Sequence, residues 1–290
     1  MPPPAAAARE ERRTILCADD YAMTDGISTG IEELIGRGRL SAVSALVTGP
    51  HWLQHGRRLA RFRDKVALGL HLNLTLGSPL GPVPHCAPDG NLPTVGTLTK
   101  WAALGKLDAA ELQGEVARQL AHFSNVAGVP PDFLDGHQHV HALPVVRHAV
   151  IGALCAQFPR GRVLVRDPAD RMPAILARGG ATTKAAAVAA LARGFAKAVR
   201  ASGFPTNTGF AGFSSFDTRT PYAAEFERFF LKPGRCHLVM CHPGHVDGEL
   251  RAIDPVTDRR EDELSVIRDA AWLDGVLWRP RRGIGSLWSP

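Results

Sequence analysis

The chain has 290 residues, 45% of them hydrophobic and 21% charged, with a formal net charge of +6. That length and apolar content suffice for one large core, and they exclude the composition of a disordered or fibrous chain. The small basic excess is that of a solvated surface, and with no aromatic-interleaved basic run or finger spacing it leaves no footprint for nucleic acid.

In chain order, MPPPAAAAREERR has no apolar stretch of signal-peptide length and reads as a flexible tail over residues 1–13, ahead of a single domain over 14–290. RTILCADD is a short apolar run closed by two carboxylates, and Ile27, Ile31, Leu34 and Ile35 then recur at helical spacing. SAVSALVTG reads as a second strand, HWLQHGRRLARFRDK as a helix and VALGLHLNL as a third strand. The Pro/Gly-rich GSPLGPVPHCAPDGNLP is too long for a simple connector and is expected to face a substrate. Leu112, Val116, Leu120 and Phe123 predict a helix from about Asp108 to Ala127. PPDFLDGH then reads as a strand end, PVVRHAVIGALCAQF as a helix and RVLVRDP as a strand. An Ala-rich helical insertion follows near 174–202, with Arg193, Lys197 and Arg200 expected on one helical stripe, and HLVMCHPGH is a last strand running into a loop. Short apolar strands alternating with amphipathic helices predict parallel β/α units, either a barrel or a doubly wound sheet.

The five cysteines, Cys17, Cys86, Cys155, Cys236 and Cys241, are odd in number and form no CxxC pair, which suits a reduced compartment and points to the cytoplasm. No segment reads as a transmembrane span.

Four strand ends carry ionisable groups: Asp19 and Asp20, His71, Asp135 with His137, and His242. In parallel β/α folds the carboxyl ends of strands share one face, so groups distant in sequence can converge there. Within DGHQHVH, an extended run from Asp135 to His141 would span about 20 Å at roughly 3.3 Å per residue. One ion cannot use all four side chains, and His137, nearest the strand end, is the candidate ligand. Asp135 is then suited to orienting an imidazole, with His139 and His141 further out. Asp19 and Asp20 point to opposite sides if the backbone is still extended, so one can bind a metal while the other serves as a general base. Two His and one carboxylate leave positions open for water and substrate, a hydrolytic geometry that suits Zn²⁺ and is compatible with Mg²⁺ or Mn²⁺. Cys241 and His242 face opposite sides of a strand and form no nucleophilic dyad. There is no G-x-S-x-G elbow, P-loop or G-x-G-x-x-G fingerprint.

CADDYAMTDGISTGI, GLHLNLT, LDGHQHVHALP and VMCHPGHVD, in that order, resemble the signatures of the YdjC/ChbG-type carbohydrate deacetylases, the ChbG/HpnK family, with GFAGFSS and RREDEL as further similar segments. The resemblance runs from about Thr14 to about Asp274. It implies a (β/α) barrel, TIM-like but distorted, with its site at the carboxyl strand ends, and divalent-metal-dependent removal of acetyl from an N-acetylated sugar. By motif, Asp20, His71 and His137 would hold the metal, Asp19 would be the general base, and His242 would protonate the leaving amine or steady the oxyanion. The partner implied is an N-acetylated carbohydrate, and a homodimer is compatible with the resemblance. The chain departs from the family pattern Asn-Ala-Asp-Asp-Phe-Gly at Cys17, Tyr21 and Ala22. Two other readings carry different consequences: a non-catalytic carbohydrate-binding protein on the same scaffold, and a metal-dependent hydrolase of another amide or of a phosphoester.

Overall fold

The computed structural model describes residues 13–214, 220–254 and 257–281 together with Trp288. Of the expected tail, residues 1–12 lie outside the described residues, and Arg13 opens the first strand. Seven strands are described: β1 Arg13–Tyr21, β2 Ala42–Ala45, β3 Ala67–Leu72, β4 Phe133–Gly136, β5 Leu164–Val165, β6 Gly209–Ala211 and β7 Cys236–Cys241. They form one parallel sheet in the order β5-β4-β3-β2-β1-β7-β6, curled into a half-barrel.

The helices of the first half are α1 Asp25–Gly36, α2 Trp52–Leu59, α3 Val95–Ala103, α4 Ala109–Ala127 and α5 Val146–Gln157. The second half carries α6 Met172–Arg178, α7 Thr182–Leu191, α8 Phe195–Ala201, α9 Tyr222–Arg228, α10 Gly248–Ile253 and α11 Asp258–Asp269. No described helix is long and apolar enough to cross a membrane.

Strand alternation divides the core in two. Leu16, Ala18, Val43, Leu68, Leu70, Leu134 and Val239 pack outward under the helices. Ile15, Cys17, Ala42, Ala67, Phe133, Leu164, Phe210, Leu238 and Met240 form a second cluster inside the curl, where small residues on β2 and β3 make room for large ones opposite. Gly69 is part of that fit, because a Cβ there would lie 2.3 Å from the Phe133 ring. Trp288 packs edge-on against Phe133 and donates to the carbonyl of Asp132 at 2.6 Å, closing the amino-terminal end.

Between the two edge strands, chain segments bridge where no ladder is described. Val165 N–H donates to Pro205 C=O at 2.9 Å. Asn207 accepts from Asp167 N–H at 2.7 Å and donates to the carbonyls of Asp167 at 2.9 Å and Gly209 at 3.1 Å.

Two local expectations are corrected. Arg193, Lys197 and Arg200 do not share one helical stripe: the chain breaks at Gly194, φ 78, so Arg193 lies between α7 and α8 while Lys197 and Arg200 lie on α8. The loop over 77–93 folds onto α4 instead of facing the cavity described below. Leu80 N–H donates to Glu115 at 2.9 Å and His85 meets Glu111 at 2.6 Å. Strand β6, with only three residues, carried too short an apolar run to be read from sequence.

Candidate metal centre

Inside the curl, the same alternation that builds the apolar layers produces a polar layer one step further toward the carboxyl ends. Ile15 and Cys17 lead to Asp19, Ala42 to Ser44, Ala67 and Gly69 to His71, Phe133 to Asp135, Leu164 to Arg166, and Leu238 and Met240 to His242. A cavity of about 330 Å³ opens above this layer, with Asp19, Asp20, His71, His137, His139 and His242 in its wall.

Asp20 breaks the alternation. Its φ of 67° and the irregular β1–β2 register between Ala18 and Tyr21 turn the carboxylate inward, so both adjacent acids line one cavity. The opposite orientation expected of extended backbone does not apply at this bulge. Ala22, where the family pattern has Gly, is also left-handed at φ 68°, a conformation that costs a non-glycine residue about 1–2 kcal/mol. His137 follows the end of β4, and the chain then turns through Gln138 at φ 53° and His139 at φ 61°. Because of that turn His139 comes back into the cavity wall against Phe210 and Phe213, instead of lying further out along a strand. His141 is buried, its Nε2 2.8 Å from the carbonyl of Arg166.

One donor atom each from Asp20, His71 and His137 lies within 4.8 Å of the others. Asp20 Oδ1 is 3.0 Å from His137 Nδ1 and 3.3 Å from His71 Nε2. Ligand atoms bound at about 2.0–2.1 Å around a tetrahedral ion are about 3.3 Å apart. The three therefore fit one cation with little movement. His71 is oriented for it: Asp135 Oδ1 holds Nδ1 at 2.6 Å, which turns Nε2 toward Asp20. Asp135 in turn accepts from Ser44 and pairs with Arg166.

Charged groups crowd this point, with Asp19, Asp20 and Asp135 set against Arg166 and Arg260. Burial would lower the His71 pKa, yet Asp135 and Asp19 hold it up at about 10, the pull that a cation in the same place would satisfy. Burial would raise the Asp20 carboxyl, but Arg260, 2.8 Å from its Oδ2, and His137 hold it well below the usual range. Asp19 is gripped by Arg166 through two contacts of 2.6 Å. Cys17, where the family pattern has Asn, places its sulfur 3.1 Å from the same guanidinium. His242 is pushed down to about 4 by burial, with Asp20 and Asp19 opposing. Its backbone N–H donates to Glu263 Oε2 at 2.6 Å.

Asp19, Asp20, His71, His137 and His242, chosen from strand ends, thus converge on one cavity. Sequence reasoning missed Ser44, Arg166, Asp254, Arg260, Glu263 and Lys184. Arg166 carried the same signal as the others, a charged residue closing the apolar run VLV, whereas Arg260 and Glu263 lie on a polar helix, inside the family-like segment RREDEL, with no pattern to show which of its residues reach Asp20 and His242.

The fold and the donor set define a parallel β/α half-barrel with an Asp-His-His centre at the carboxyl ends of its strands. Residues 13–275 match the model of the YdjC-like proteins, and the chain belongs to that family. It is 30% identical over 280 residues to a chitooligosaccharide deacetylase of Klebsiella pneumoniae (strain 342), covering 93% of this chain and 96% of the relative. A Serratia marcescens chitooligosaccharide deacetylase is 35% identical over 136 residues, 46% of this chain, and a mouse carbohydrate deacetylase 34% over 164 residues, 55% of this chain. The chain spans about half the length of these last two relatives, 51% of each. Among solved structures, a candidate cellobiose-phosphate cleavage protein of Enterococcus faecalis V583 shares the fold, with TM-score 0.66 and 19% identity over 93% of this chain and 97% of that one.

Proposed function

We propose that the protein is a metal-dependent carbohydrate deacetylase that releases acetate from an N-acetylated amino sugar, whether free, in an oligosaccharide or on a glycolipid. The observation that carries this reading is the presence, in one cavity, of a three-atom cation set and a second carboxylate outside it. The names of the relatives, chitooligosaccharide and carbohydrate deacetylase, support the same chemistry and the sugar as substrate.

A divalent ion held by Asp20, His71 and His137 would polarise the acetamide carbonyl and make a nearby water more acidic. The two imidazoles favour Zn²⁺ over Mg²⁺ in this role. Asp19 is the base: the two-pronged grip of Arg166 fixes its carboxylate in the cavity wall, where it can take a proton from the attacking water. His242 faces the same cavity with a neutral ring at pH 7. His242 takes up the proton that Asp19 has removed from the water and delivers it to the departing nitrogen, so that one proton passes from nucleophile to leaving group. The C–N bond breaks as the amine takes that proton, leaving acetate and a free amino sugar.

Acetate release from N-acetylglucosamine oligomers, with and without a chelator, tests the reading. The expected outcome is turnover that stops on chelation and returns with added Zn²⁺ or another divalent ion. Binding of the oligomers without acetate release would instead make this a carbohydrate-binding protein, and release only from other amides would move the substrate class.

A further inference from the structure

A second group of metal-ligating side chains lies outside the cavity. Asp25 opens α1, and His51 and His55 stand one helical turn apart at and within the start of α2, an i, i+4 pair on one face. One atom from each falls within 4.8 Å of the other two. His55 Nε2 is 2.5 Å and His51 Nδ1 3.5 Å from the same oxygen, Asp25 Oδ1.

The surroundings fix which nitrogens are free to bind. Both oxygens of Glu249, on α10, lie 2.8 and 2.9 Å from His51 Nε2, which places the ring hydrogen there and leaves a lone pair on Nδ1 facing Asp25. His55 is fully buried under Tyr21, and its Nδ1 has no hydrogen-bond partner, with Glu32 Oε1 at 4.0 Å. The Glu249–His51 contact repeats the Asp135–His71 arrangement of the first centre, a carboxylate holding the ring nitrogen that faces away from the ion.

We infer that Asp25, His51 and His55 form a second divalent-cation site, suited to Zn²⁺, with Glu249 orienting His51 and the exposed side of Asp25 leaving a position for water. The site is structural. It ties the amino end of α1 to α2 and, through Glu249, to α10. Asp247, which caps α10, accepts from Gly26 N–H at 3.0 Å next to Asp25. Asp254 at the other end of α10 holds Arg260 at 2.7 Å, and Arg260 holds Asp20. A cation there would stiffen the rim that carries one ligand of the first centre.

This inference uses no residue of the proposed catalytic centre, and the two fail separately. Purified protein is equilibrated with Zn²⁺, passed over a competing chelator of micromolar affinity and assayed for bound zinc. The wild type should retain two equivalents and the Asp25→Asn/His51→Ala double variant, altered at accessible positions, one. Thermal melting should show the wild type gaining more from Zn²⁺ than the variant does, with both melting alike in chelator. A wild type that retains one equivalent which the variant also retains overturns the second site. One equivalent in the wild type and none in the variant would uphold it and count against the first centre. A variant that keeps two equivalents also overturns it.

Discussion

Asp135 touches His71, Ser44 and Arg166 and lies below the cavity, so its influence on any ion is exerted through His71. Asp135→Asn keeps the shape and removes the charge that directs Nε2 of His71 toward Asp20. Affinity for Zn²⁺ at the first centre should fall about 10–100-fold, read by chelator competition. Glu263 provides a second test at this scale. Burial raises its pKa from 4.5 to about 7, against the opposing pull of the His242 N–H and Arg260. Between those values the folded chain holds a proton that the unfolded chain has lost, so stability is highest below pH 4.5 on this group's account and falls as pH rises through 7. The difference is at most about 3 kcal/mol. Urea unfolding from pH 5 to 8 should therefore show a downward slope in the wild type that is smaller in Glu263→Gln.

At the level of elements, the strand ends were legible because each is an apolar run stopped by a charged residue, and period-two alternation carried the apolar interior directly into the polar layer. Asp20 was not placed correctly by that rule, since a bulge adds one residue that alternation does not count. The turn after Gly136 was hidden for a related reason: Gln138 and His139 take left-handed backbone without a glycine to announce it. Gly30 of α1 and Gly244 are explained by an approach that no local pattern reveals. A Cβ on Gly30 would lie 2.9 Å from Gly244 Cα, and one on Gly244 would lie 2.9 Å from Ile27 Cα, so α1 rests backbone to backbone on the turn after His242. Gly244→Ala should push the two apart, cost about 1–3 kcal/mol in urea unfolding, and lower acetate release by displacing His242.

Over the whole molecule, the parallel β/α architecture followed from alternating patterns, while the way its edges meet did not. β5 and β6 have two and three residues, and their juncture depends on Asn207, a buried polar side chain in a segment without periodicity. Asn207→Ala leaves the N–H of Asp167 and the carbonyl of Gly209 without these partners, and should destabilise the fold by about 2–4 kcal/mol in urea unfolding. Arg166 and Asp167 adjoin that juncture, so the same change should loosen the support of Asp19. The most direct test of the account measures bound metal and acetate release together in the wild type, His137→Ala and Asp19→Asn. The account predicts that His137→Ala loses both the ion of the first centre and the rate, whereas Asp19→Asn keeps the ion and loses about 10²–10⁴-fold in rate. Full metal content and full rate in His137→Ala, or undiminished turnover in Asp19→Asn, would contradict it.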